Sequence, residues 1–180
     1  MKIYTRTGDK GQTGLANGER VFKTHSLINF VGSLDELNAH VGLCISKLKN
    51  MTDYSFKEEI KFLEKIQNNL FVIGSITVYA KLDFDVVKEV KHIENQIDKY
   101  EETLPKLTNF ILPGGHLIAS HIHLLRTNTR KIEILSHGLE HEEIRYIATY
   151  FNRLSDYFFV LARFINFEFK QEEPIWKVNN

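Results

Sequence analysis

The stretch YTRTGDKGQTGLANGERVFK, residues 4–23, brings hydroxyls (Thr5, Thr7, Thr13), cations (Arg6, Lys10, Lys23) and glycines (Gly8, Gly11, Gly14) into close succession. Glycine lets a backbone approach a ligand closely, and amide, hydroxyl and cationic donors together can hold a chain of phosphates. The same composition describes an ordinary mobile N-terminal segment, and on these residues alone the two readings stand level. The stretch is not a Walker A motif: Lys10 precedes Gly11, and no strand–helix unit follows.

Further along, Arg126, Arg130 and Glu133 stand at i, i+4 and i+7, on one face of any helix that contains them. A charged stripe of this kind is more commonly a solvated face than a site. Asp35 and Asn38 lie one turn apart, flanked by Leu34 and Leu37, and Asn152 shares a face with Asp156. If the three segments converge, Asp35 can partner Arg126. Arg130 with Asn152 can then offer a cation and an amide to an anionic, hydrogen-bonding ligand.

Other chemistries find less support. His121 and His123 point to different sides of a helix, and His137 and His141 straddle Gly138 without the H-E-x-x-H order of a zinc site. No Ser/His/Asp arrangement stands out, and basic residues are not interleaved with aromatics as a single-strand nucleic-acid channel needs. Cys44 is the only cysteine, which excludes an internal disulfide; its place in an apolar helical repeat reads as a buried structural thiol.

The elements that must position these groups are helical. Ser33 with Glu36 forms a capping-box signature ahead of Leu34, Leu37, Val41, Cys44, Ile45 and Leu48, which predicts a helix starting near Ser33. Ser55 with Glu58 repeats it before a stripe that runs from Ile60 to about residue 80. A third helix runs from Val86 to Leu104, closed by Pro105, and a fourth spans about 116–137 and stops at Gly138. The fifth carries Ile144, Ile147, Phe151, Leu154, Phe158, Leu161 and Ile165. Five amphipathic helices with short connections predict an all-α, antiparallel five-helix bundle, led in by the Gly-rich loop. Residues 106–115, KLTNFILPGG, fit no helix and form a second candidate site wall.

The chain's 180 residues suit one domain, read as a loop segment over 1–31, a bundle over 32–170 and a tail over 171–180. Lys plus Arg equals Asp plus Glu at 23 each, so no bulk charge draws the chain to nucleic acid or a membrane, and any anion site is local. No run reaches the roughly 18 apolar residues of a membrane span and no secretory signal block opens the chain, so the expectation is a soluble, cytoplasmic protein.

Taken together, TRTGDKGQTGLANGERVFK, GSLDELNAHVG, IQNNLFVIGS, FILPGGHLIASHIHLLRTNTRKIE and YFNRLSDYFFVLAR occur in the order and at the spacings of the PduO-type ATP:cob(I)alamin adenosyltransferases. The resemblance covers roughly residues 3–166. It implies a cobalamin adenosyltransferase-like (ferritin-like) five-helix bundle that assembles as a homotrimer with active sites between subunits. It also implies transfer of the 5′-deoxyadenosyl group of ATP to the cobalt of reduced cobalamin, with release of triphosphate.

Carried over by position, the resemblance gives Thr5, Arg6, Thr7, Gly8, Lys10, Thr13 and Lys23 to the triphosphate. Arg130, Lys131, Glu133 and Asn152 complete the ATP site, with Mg²⁺ carried on the phosphates and no protein-only metal site. Asp35 and Arg126 match an ion pair that crosses the subunit interface and orders the corrinoid side, and Phe110 matches the aromatic that replaces cobalamin's lower base. Arg130, Phe110, Asp35 and Arg126 are thus the implied catalytic group. The implied partners are ATP, cob(II)/cob(I)alamin, a reductase and a B12-dependent acceptor enzyme.

The chain departs from the family at Lys131 and Ile134, where arginines are common, at Leu125 in place of alanine, and at Leu27. Lys131 keeps the charge but loses the planar fork. Two other readings remain: an ATP- or corrinoid-binding carrier with little turnover, and a helical oligomerisation module without a site.

Overall fold

The structure, a computed structural model, describes residues 3, 4, 6–52 and 55–177. It contains the five predicted helices: α1 Ser26–Lys49, α2 Lys57–Thr77, α3 Val86–Glu101, α4 Leu117–His137 and α5 Glu142–Glu168. A two-stranded antiparallel hairpin, β1 Gln12–Gly14 and β2 Arg20–Phe22, precedes them in register Thr13 opposite Val21.

The helices differ in how much of their surface is buried, and that sets their places. On α5, Tyr150, Phe151, Leu154, Tyr157, Phe158 and Leu161 are all fully buried, so the helix is apolar nearly all round and sits centrally, between α3 and α4. Its neighbour α3 buries only Val86, Ile93 and Tyr100 and lies on the outside. On its other edge α4 packs on α1, and α1 on α2. Polar ties close the bundle between α2 and α3: Glu89 accepts from Lys65 at 2.8 Å and from Asn69 at 2.9 Å. Nearby, the hydroxyl of Tyr100 donates to buried Glu59 at 3.1 Å. Cys44 is fully buried on α1, and burial pushes its thiol up to about 12, in keeping with a structural thiol.

Both capping boxes fail. Ser33 lies within α1 and donates to the Asn29 carbonyl at 3.1 Å; the helix begins seven residues earlier, where His25 Nδ1 accepts from the Leu27 amide at 3.2 Å. The apolar stripe continues upstream through buried Leu27 and Phe30, and a stripe outranks a cap signature when the two conflict. At α2, Phe56 occupies the cap position without a side-chain cap bond, and Glu58 pairs with Lys99 on α3 instead. The third helix ends at Glu101, where a turn delivers Leu104 to the Tyr100 carbonyl. At the end of α4, Gly138 has φ −85°, a conformation open to any residue.

Candidate active site

The opening loop is built around the hairpin. Gly11 and Gly18 have φ +80° and +90°, where a side chain is strained, and both turns depend on that freedom. Arg20 staples the fold of the loop: its guanidinium donates to the Thr7 carbonyl at 2.8 Å and to the Gln12 carbonyl at 3.4 Å. The foot is tied to the end of α2, since the Ala16 amide donates to the Val78 carbonyl at 2.8 Å and Leu15 is buried. Between these anchors Lys23 lies over Gly8, close enough that a Cβ there would meet its Nζ at 3.3 Å. Arg6, Thr7 and Lys10 are exposed, Thr13 is half-buried on β1, and Thr5 lies outside the described residues. Arg6 sits over the Tyr4 ring, 5.5 Å from its centroid.

On α4, Arg126 is half-buried, Arg130 and Lys131 are exposed, and Glu133 accepts from the Asn152 amide of α5 at 2.9 Å. Asn152 is therefore oriented with its carbonyl oxygen uncommitted in that bond, and Arg130, less than one turn before Glu133 on α4, is exposed. Burial, and then the neighbouring Arg130, pull the Arg126 guanidinium below its usual value, and its Nε is buried without a hydrogen-bond partner among the described residues.

Asp35 is exposed on α1, in a groove of about 450 Å³ between α1 and α2 that is otherwise lined mainly by apolar residues and includes exposed Phe71. The groove also holds Asn38, whose Oδ1 is buried and has no hydrogen-bond partner among the described residues. Among the described residues Asp35 and Arg126 form no ion pair with each other within one chain.

Phe110 stands 78% exposed on the irregular segment between α3 and α4, with the Trp176 ring edge-on at 6.2 Å. Two residues that sequence reasoning passed over hold the far end of this segment. The Asn166 side chain accepts from the His116 amide at 2.9 Å and donates to the Gly114 carbonyl at 3.1 Å. Gly115, at φ +97°, comes so close to it that a Cβ would lie 2.3 Å from Asn166 Oδ1. A polar residue in the buried register of α5 was the available signal. Gly115→Ala is expected to cost about 3 kcal/mol, from the left-handed backbone and the overlap together, read as a lowered midpoint in urea unfolding.

The amino-acid sequence from residue 3 to residue 165 matches the family model described as cobalamin adenosyltransferase. The chain belongs to the cobalamin adenosyltransferase family. It is 42% identical over 171 residues to the corrinoid adenosyltransferase of Bacillus subtilis, covering 92% of this chain and 87% of that protein. To the human corrinoid adenosyltransferase MMAB it is 36% identical, covering 99% of this chain and 74% of that protein. Among solved structures it resembles a variant of the PduO-type ATP:corrinoid adenosyltransferase from Lactobacillus reuteri complexed with cobalamin and ATP. The TM-score is 0.89 and the identity 31%, over 98% of this chain and all (100%) of that one.

For this family member one feature of α4 carries a pH dependence. His123 is buried with both ring nitrogens unpartnered among the described residues, and burial, then the Arg126 cation, push its imidazole down to about 4. An unfolded histidine titrates near 6.5, so between that value and about 4 the unfolded chain holds the extra proton. The contribution of neutral His123 is complete above the unfolded value, drains away as pH falls toward 4 and levels off below. Its size is on the order of 3 kcal/mol. Urea titrations across this range are expected to show wild type losing more stability than His123→Gln. Parallel curves would remove His123 as the cause.

Proposed function

We propose that this chain transfers the 5′-deoxyadenosyl group of ATP to the cobalt of cob(I)alamin, giving adenosylcobalamin and triphosphate. The observation that carries the reading is the family membership together with the presence, in this chain, of a glycine- and cation-rich hairpin loop, the Arg130 and Glu133–Asn152 face, and an outward aromatic at Phe110.

Cobalt(I) is itself the nucleophile: its electron pair forms the bond to C5′ as the C5′–O bond breaks and its electrons leave with the triphosphate. The chain therefore needs no nucleophile of its own. It has to align cobalt with C5′ and stabilise charge that grows on the leaving group. Arg130, Lys10 and Lys23 serve the second task, with Arg6, Thr7, Gly8 and Thr13 enclosing the phosphates; Thr5 and Lys131 belong to the same proposed set. Asn152, fixed by Glu133, holds the nucleotide.

Among the described residues no group of three or more His, Cys, Asp or Glu side chains is placed to hold a metal. The proposed Mg²⁺ would come with the triphosphate, where it would supply charge neutralisation. Phe110 faces cobalt from below: a ring with no donor atom excludes both the lower base and water, and a cobalt(II) without an axial ligand is easier to reduce.

The site is completed by a homotrimer. Asp35 on the α1/α2 groove and Arg126, whose buried Nε has no partner among the described residues, are opposite charges with no mutual ion pair within one chain, which supports their pairing across subunits. A cytoplasmic setting, a reductase that supplies the electron and a B12-dependent acceptor of the product belong to the same proposal.

The test is to incubate the protein with chemically reduced cobalamin and Mg-ATP and follow cobalt–carbon bond formation by absorbance. Turnover with stoichiometric triphosphate supports the reading. Tight ligand binding with no product above background favours the carrier.

A further inference from the structure

Arg163 is an anomaly on α5. It lies in the run FFVLARFINF, is only 6% exposed, and carries a charge in the register of the apolar core. A buried guanidinium needs acceptors, and the ones it has are informative. Its Nε meets both carboxylate oxygens of Glu173 at 3.2 Å, and its terminal nitrogen donates to the Pro105 carbonyl at 2.9 Å. Pro105 opens the irregular segment that bears Phe110, and Glu173 opens the tail that runs beside that segment.

From Glu173 onward the tail is laid against the Phe110 segment as an antiparallel strap. The Leu112 amide donates to the Pro174 carbonyl at 2.7 Å and the Trp176 amide donates to the Phe110 carbonyl at 2.8 Å, flanking the Ile111–Ile175 bridge. One turn along α5 from Arg163, Asn166 holds the other end of the segment through His116 and Gly114. The Phe110 side chain itself is mostly exposed, so its direction is set through its backbone. That backbone is suspended at Pro105, at the strap and at Gly114–His116.

We propose that Arg163 is a positioning residue for Phe110, acting through its ion pair with Glu173, which docks residues 173–176 as a strap along 110–112. The proposal rests on the adenosyltransferase reading for its consequence in catalysis, but the docking itself is independent of it. Without the pair, the strap loses the charge that fixes its start, and Phe110 keeps its surroundings but not its aim. Misplacement of a group by an ångström is enough to cost a reaction one to two orders of magnitude.

Trp176 is the chain's single tryptophan and sits on the strap, so its fluorescence reports docking directly. In Glu173→Gln the indole emission is expected to shift to the red and acrylamide quenching to rise about twofold, with unchanged helical circular dichroism. With cob(II)alamin and a reductant, the rate is expected to fall roughly tenfold, while the rate with prereduced cobalamin and the KM for ATP stay within about twofold. Glu173→Asp is expected to recover part of both signals.

An unchanged emission and quenching overturns the proposal, as does an equal loss with both cobalamin states. If wild type shows no turnover with prereduced cobalamin, the parent reading fails; the fluorescence comparison still decides whether Arg163 and Glu173 dock the strap.

Discussion

Arg130→Ala is expected to lower kcat/KM for ATP by roughly 10²–10³ in assays with chemically prereduced cobalamin, the loss characteristic of removing one preorganised donor from a developing charge. Arg130 is exposed on α4 beside the Glu133–Asn152 pair, where an incoming polyanion can use its full fork of donors. Because it is exposed, the substitution leaves the fold intact, and thermal unfolding of the variant is expected to stay close to wild type. Arg130→Lys restores the charge but not the planar geometry, so it recovers only part of the loss. Lys131 adds a second cation without a fork, and Lys131→Ala is correspondingly expected to cost less than Arg130→Ala. Steady-state kinetics with ATP varied would reject this assignment if both kcat and KM were unchanged in Arg130→Ala.

The helical part of this architecture was legible because core burial writes itself into sequence at a period of 3.6 residues, and α2 to α5 fall close to where their stripes place them. Cap chemistry was less reliable. Ser33 has the sequence signature of a helix start, yet within a buried stripe its hydroxyl bonds backward to Asn29. The hairpin was hidden for the opposite reason: each strand is three residues long, too short for an alternation to show.

Of the proposed site, residues carried by motifs could be picked out in the chain, as Arg130, Glu133 and Asn152 were, and the structure joins Asn152 to Glu133. Residues that act by holding backbone could not, because Asn166, Gly115 and Arg20 work through bonds to chain atoms far away in sequence. The Asp35–Arg126 pair marks a third limit, since neither the sequence nor a single chain contains the surface on which the proposal joins them.

Phe110→Ala separates the two halves of the proposed reaction. The ring is 78% exposed, with the Trp176 ring edge-on beside it, so its removal is expected to change stability by no more than about 0.5 kcal/mol. Its role in the proposal is confined to cobalt's lower face, where it replaces an axial donor with an apolar surface. Truncation to a methyl group reopens that face to water or to the base, raises the orbital that the incoming electron must fill, and makes reduction harder.

Starting from cob(II)alamin and a reductant, activity is expected to fall by about 10² or more, whereas prereduced cob(I)alamin, which has already passed that step, is adenosylated with a much smaller loss. Absorbance or electron paramagnetic resonance of the bound cob(II) state checks the cause directly, because on this proposal the wild type is expected to accumulate a four-coordinate species that the variant lacks. Arg130→Ala is expected to differ, with the nucleotide step impaired from either cobalt state and the four-coordinate signal retained. Equal losses from cob(II) and cob(I) in Phe110→Ala, with that signal intact, would place the ring's contribution in alignment of cobalt with C5′ instead of in reduction.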